Sequence, residues 1–298
     1  MPDNPFAAYV ADKKPLIEKA LDELLARAAD ARAARVSDAM RYAVLAGGKR
    51  LRALLVLATA EALKNKASRV LKAACAVEFV HTCSLILDDL PSMDNAATRR
   101  GRKTTHLAFG EATAILAADA LLMEAFNLVA ENCLDARLSA RASAGAVKSL
   151  ATAIGPRGMI AGQQVDLDIV GKPAGFETLE YICSRKTGAL FTACVEVSGI
   201  LSRAREFELT ALRNYAKNLG LAFQVRDDIL DTVGDPEKLV KPVHQDSNRT
   251  TFATQFGLES ARKAVRDLCK TAEDSLAALP RKSVPLVSLA RYVGETEE

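Results

Sequence analysis

Residues 69–94, RVLKAACAVEFVHTCSLILDDLPSMD, decide how this chain folds and where its chemistry sits. From Val70 to Leu90 apolar side chains occupy nearly every face of a helix, the pattern of a central bundle helix rather than of an amphipathic surface one. That helix runs into three carboxylates, Asp88, Asp89 and Asp94. Six residues of unbroken helix would carry Asp94 about 240° around the axis from Asp88. Pro91 prevents this. It disfavours helical geometry at Leu90, so Pro91-Ser92-Met93 is expected to fold back and return Asp94 towards Asp88.

A second cluster, Asp227, Asp228 and Asp231, closes another apolar run within 223–235, FQVRDDILDTVGD. On one helix Asp228 lies about 100° and Asp231 about 40° from Asp227, so all three face one way. Either cluster alone also fits a solvated acidic helix end. Two of them, each at the edge of an apolar helix, repel internally and want a cation. No Cys or His stands in ligand spacing, and an oxygen-only donor set suits magnesium, which takes few protein carboxylates and fills its octahedron with water and substrate phosphates.

The 298 residues are 49% hydrophobic and carry a net charge of +3, enough apolar material for a large core and too little charge to argue for nucleic acid. Six cysteines (Cys75, Cys83, Cys133, Cys183, Cys194, Cys269) form no CxxC pair and mostly lie in apolar runs, as reduced buried thiols do. The N-terminus has no signal-peptide core and no stretch of 18 uncharged apolar residues occurs, so a soluble cytoplasmic protein without a membrane span is expected. Proline is absent from 16–90, 92–155 and 174–235, spans rich in strong helix formers. AILAADALLMEAFNLVA (114–130) reads as a second central helix, and turn signals are confined to Gly47-Gly48, Gly155-Pro156 and 171–173. These features predict one all-α domain over 1–298, a bundle of long antiparallel helices.

Basic residues complement the acids. Lys49, Arg50 and Arg52 follow a Gly pair at a helix start, where backbone amides favour anions, and Arg99 and Arg100 closely follow Asp94. Lys186, Thr187, Gln224 and Lys241 are further polar groups beside apolar runs. Acidic and basic clusters together imply a polyanion bridged by metal and gripped by Arg and Lys, for which diphosphate is the natural candidate.

With these motifs the chain resembles the trans (head-to-tail) isoprenyl diphosphate synthases, the polyprenyl synthetase family. The matching segments, in family order, are LAGGKRLR (45–52), EFVHTCSLILDDLPSMD (78–94) with TRRG (98–101), FGEATAILAADALL (109–122), GMIAGQQVDL (158–167), KTGALF (186–191) and LAFQVRDDILDTVGD (221–235). The resemblance implies a helical bundle around a prenyl-binding cavity, a homodimer, and condensation of isopentenyl diphosphate with an allylic diphosphate. It implies that Asp88, Asp94, Asp227 and Asp231 ligate Mg2+, supported by Asp89 and Asp228. Arg99, Lys186 and Lys241 would contact the allylic diphosphate; Lys49, Arg52, His81 and Arg100 would form the isopentenyl diphosphate site; Thr187 and Gln224 would face the allylic cation. His81, about 20° off the face of Asp88, also fits a satisfied core histidine.

Product length is expected to be set by Cys83 and Ser84, five and four residues before Asp88. A small residue at Cys83 leaves room for a fourth prenyl unit, so geranylgeranyl diphosphate is the expected product and farnesyl diphosphate the alternative. Several positions depart from the family pattern: Leu87, Ala96-Ala97, Ala53, Ala118, Cys183, Arg185, His244 and Arg249, with a loop after Asp246 that is two residues short. These keep open a non-catalytic subunit of a heteromeric synthase, although such a subunit would be expected to lose an aspartate cluster. A terpene cyclase would carry an Asn/Asp-Ser/Thr-Glu triad that RDDILDTVGD lacks.

Overall fold

The computed structural model describes residues 5–27, 31–233, 250–279 and 283–295. Within them lie fourteen α-helices: α1 (Pro5–Arg27), α2 (Ala34–Val44), α3 (Leu51–Ala62), α4 (Leu71–Asp88), α5 (Thr105–Phe109), α6 (Glu111–Asp135), α7 (Ala140–Ile154), α8 (Met159–Asp168), α9 (Phe176–Ile182), α10 (Ala189–Leu201), α11 (Glu206–Val233), α12 (Phe252–Phe256), α13 (Leu258–Ser275) and α14 (Val284–Gly294). The all-α architecture expected from the proline-free spans is what forms.

One small sheet interrupts the helices. Strands β1 (Thr98–Arg99) and β2 (Arg102–Lys103) pair antiparallel around Arg100-Gly101, both with positive φ (53° and 74°). Two left-handed residues are what a tight hairpin turn requires. The signal was Arg-Gly in TRRGRK; no strand was expected there, because two residues per strand are too few for an alternating pattern.

α4 is the axis of the first half. It packs on α6, α3, α1 and α2, and Phe79, Cys75 and Val77 are fully enclosed. Burying side chains of this kind stabilises by about 1.5–3 kcal/mol each before entropy is counted. α11 is the axis of the second half, packed on α10, α13 and α14. All six cysteines are buried thiols, as their apolar settings predict.

α6 behaves differently from α4. Both are long and apolar enough to cross a membrane by length and composition, but 67% of the apolar window of α4 is packed inside the bundle against 39% for α6. A stripe of Ile115, Leu116, Met123 and Leu134 remains exposed on α6. The sequence read this helix as central; it is central on one side only.

Between α9 and α10 the chain widens into a π-helical turn, Cys183–Gly188, and two glycines let its neighbours press against it. A Cβ on Gly162 of α8 would sit 2.2 Å from the Lys186 amide nitrogen, and one on Gly220 of α11 would sit 2.8 Å from Gly188 Cα. By contrast, a Cβ on Gly145 of α7 would meet only Ile200 Cδ1, at an ordinary 3.8 Å. Gly220→Ala should therefore lower unfolding free energy by about 1–3 kcal/mol, whereas Gly145→Ala should raise it by about 0.5–1 kcal/mol through helix propensity. Urea midpoints compared at equal m-value check both signs.

Candidate active site

The helix break at Pro91 does what the sequence predicts. The Asp94 amide donates to the Asp88 carbonyl at 2.9 Å, and the Ala96 amide donates to the Asp89 carbonyl at 3.2 Å. Asp94 therefore returns over the end of α4. Its neighbour Asp89 turns inward, is 2% exposed, and takes a forked ion pair from Arg99, with Nη2 2.6 Å and Nε 2.8 Å from Oδ1. Asp89 thus anchors Arg99, while Asp88 and Asp94 remain at the mouth.

The π turn stands between the two acidic helix ends. Lys186 Nζ lies 2.7 Å from Asp166 Oδ2 of α8, and its charge also acts on Asp88. The Thr187 hydroxyl donates to Gln224 Oε1 at 2.6 Å, and Gln224 Nε2 donates to Asp228 Oδ1 at 3.0 Å. Adjacent residues of one turn thus reach α8 and α11 together. A regular α-helix would space them differently, and π turns recur at functional sites for this reason. Asp166 lies within GMIAGQQVDL, and no local pattern announces its pairing with Lys186, which only the fold creates.

On the other side of Asp227 the charge reverses. Arg52 lies over the Phe191 ring, its Cζ 5.2 Å from the centroid, and within the field of Asp227. Burial lowers its pKa, with Glu78 and Asp227 pulling the other way, and its buried Nε has no partner among the described residues. Burial, then the positive fields of Arg52, Arg100 and Arg99, holds the half-buried His81 imidazole well below its ordinary pKa, so it is neutral at pH 7. Arg100 donates to the Gly47 carbonyl and packs so closely on Gly48 that a Cβ there would lie 2.9 Å from its guanidinium. The charges of Arg52 and Arg100 thus both act on His81; Lys49, three residues before Arg52 in the turn that leads into α3, donates to the Tyr292 hydroxyl at 2.9 Å.

Arg50 stands apart from that group. It adopts a left-handed φ of 54° at the start of α3, is 3% exposed, and is pinned by Glu18 of α1 at 2.8 Å and Glu78 of α4 at 3.4 Å. Glu78 also accepts from the Ala53 amide at 3.2 Å, a bond that a proline at this position would lack. A lone Glu inside an apolar helix was the available signal, and it went unread. Lys241, His244, Asp246 and Arg249 lie outside the described residues.

No three His, Cys, Asp or Glu side chains among the described residues converge closely enough to cage an ion by themselves. Oxygen donors from two helix ends, one or two from each, suit magnesium shared with a phosphate better than an all-protein cage. A cavity of about 1030 Å³ lies at the far end of α4, lined by Leu71, Lys72, Asn132 and Leu201, and is remote from these groups.

Burial pushes the Asp88 carboxyl up to about 6 against the pull of Lys186, with Asp94 adding to the rise, Arg99 opposing and Asp89 reinforcing it. A carboxyl whose pKa rises on folding binds more protons folded than unfolded, so its contribution is lost as pH climbs from about 4 through 6. Metal-free Asp88→Asn should consequently be about 1–2 kcal/mol more stable than the parent at pH 8, allowing for solvent screening, and no different below about pH 4. Denaturant melts at the two pH values check this.

The Polyprenyl synthetase family model matches residues 33–280. Geranylgeranyl pyrophosphate synthase 4 of Arabidopsis thaliana is 40% identical over 294 residues, covering 97% of this chain and 77% of that one. Farnesyl diphosphate synthase of Geobacillus stearothermophilus is 42% identical over 257 residues, 86% of each chain. A crystal structure of an FPP/GFPP synthase from Zymomonas mobilis superposes with a TM-score of 0.84 at 33% identity, covering 97% of this chain and 99% of its own. The chain belongs to the polyprenyl synthetase family.

Proposed function

We propose that this protein is a short-chain trans-prenyltransferase that joins isopentenyl diphosphate to an allylic diphosphate, releases diphosphate, and makes geranylgeranyl diphosphate as its main product. The observation that carries the reading is the π turn, which joins Lys186 to the Asp88 side and Thr187, through Gln224, to the Asp228 side. Such an arrangement suits a departing diphosphate on one face and a developing allylic cation beside it.

Asp88, Asp94, Asp227 and Asp231 would hold Mg2+, which when bound supplies positive charge to the leaving diphosphate. Lys186 and Arg99, the latter oriented by Asp89, grip the same group and stabilise the charge that grows on it as the carbon–oxygen bond ionises. Lys241, outside the described residues, is proposed as a third contact. The Thr187 hydroxyl and Gln224 amide, locked to each other, present fixed dipoles to the allylic carbon. Arg52, His81, Arg100 and Lys49 hold isopentenyl diphosphate opposite, so that its double bond attacks the cation before water can. Neutral His81 suits this work because it donates one N–H without adding charge.

The growing tail is proposed to run down α4. Cys83 is 5% exposed and lies in the field of Asp119 of α6, and Phe79, four residues deeper and fully enclosed, is proposed as the floor. One turn of about 5.4 Å is of the order of one prenyl unit, so the small Cys83 leaves space for a fourth. Ser84 donates to the His81 carbonyl at 2.9 Å and flanks the same wall. A homodimer in the cytoplasm is also proposed: Ile115, Leu116, Met123 and Leu134 leave a largely apolar exposed face on α6, interrupted by Asp119, that a second copy would bury. Sedimentation should give twice the chain mass, and Leu116→Glu should shift the protein towards monomer.

Purified protein with magnesium, isopentenyl diphosphate and each allylic primer should yield twenty-carbon product by mass spectrometry. Asp88→Ala and Asp227→Ala should each lower turnover by about a thousandfold or more while retaining helical circular dichroism. Cys83→Tyr should shift product to fifteen carbons. A parent enzyme that already stops at fifteen carbons and ignores Cys83→Tyr would remove this position as the gauge; a parent inactive with every primer until a second chain is added would favour the heteromeric subunit.

A further inference from the structure

Lys49 is a solvent-exposed lysine whose four-carbon stem has many rotamers, yet its ammonium is held in one place. The phenol of Tyr292 on α14 accepts from it at 2.9 Å, and the ammonium lies 5.5 Å from the ring centroid. The same ring carries Arg226 of α11, its Cζ 4.8 Å from the centroid. Phe6 of α1 packs on the ring at 5.0 Å between centroids and is itself 4% exposed. One tyrosine thus ties the last helix to α1, to the turn that begins α3, and to the residue preceding Asp227.

Arg226 strengthens the point. It is 9% exposed, its buried Nε has no hydrogen-bond partner among the described residues, and its side chain also hydrogen-bonds the Tyr292 phenol. A guanidinium in that position is stabilised by the face of an aromatic ring. Burial raises the Tyr292 phenol's pKa, and Lys49 with Arg226 more than offset it, so the group sits below its ordinary value.

We propose that Tyr292 is a positioning residue for isopentenyl diphosphate, acting through Lys49. The inference rests on the assignment of Lys49 to the isopentenyl side made above. Tyr292 does not touch the diphosphate; it holds the Lys49 side chain in one place at the turn that leads into Arg52, so that less rotamer freedom is lost when the anion arrives. Arg226 and Phe6 fix the ring from two other sides.

Steady-state kinetics of Tyr292→Phe provide the test, because phenylalanine keeps the ring packing and both cation–ring contacts and removes only the hydroxyl, with its hydrogen bonds to Lys49 and Arg226, which the Lys49→Met background tells apart. The apparent KM for isopentenyl diphosphate should rise about fivefold to tenfold, the worth of one ordinary hydrogen bond, with kcat and the allylic KM changed less than twofold. In a Lys49→Met background, Tyr292→Phe should add nothing. An unchanged or lowered isopentenyl KM overturns the proposal, the latter by showing that the phenol competes with the diphosphate. An equal rise in both KM values, or a further loss in the Lys49→Met background, overturns it too. Parent protein that condenses normally while Tyr292→Phe is silent removes the positioning role alone, whereas a parent that neither condenses nor binds isopentenyl diphosphate in calorimetry removes the functional reading with it.

Discussion

Burial of carboxylates at the ends of apolar helices, sharpened by their mutual repulsion, is the constraint on which the rest of this structure depends. α4 and α11 are fixed by the core on either side, so neither acidic end can swing out to relieve the crowding. The cost is visible at Asp88, whose carboxyl is pushed up to about 6, mainly by burial, with Asp94 and Asp89 adding to the rise against Lys186 and Arg99. Natural proteins retain such locally unfavourable groups where chemistry needs them, and a shared cation with a polyanionic substrate removes the penalty.

Electrostatic separation follows from how the charges are tied. Asp89 and Asp166 each neutralise one cation, Arg99 and Lys186, and so keep both beside the acids instead of in solvent. Arg52, His81 and Arg100 gather where the neighbouring acid, Glu78, is already engaged with Arg50 and the Ala53 amide. One side of the mouth therefore offers acids with cations in reserve, and the other offers cations alone. Two diphosphates bound side by side would repel unless held by these different means.

Much of this was legible in the chain. The break at Pro91 and the common face of Asp227, Asp228 and Asp231 follow from helix periodicity and proline sterics alone, and the Asp94–Asp88 backbone hydrogen bond is their direct consequence. What could not be read depends on contacts distant in sequence. Asp166 meets Lys186 across a π turn that no periodicity announces, because a π turn is an inserted residue rather than a repeat. Tyr292 meets Lys49 from 243 residues away. The half-exposed state of α6 was missed because an apolar helix looks the same whether its second face is covered by the chain itself or by another one.

The account's central claim is that the acidic ends bind metal only together with diphosphate. Calorimetric titration of magnesium into the protein, with and without saturating inorganic diphosphate, tests it most directly. Strong magnesium binding should appear only when diphosphate is present, and should be lost in Asp227→Ala. Equally strong magnesium binding without diphosphate, or diphosphate binding of the same strength without magnesium, would contradict it.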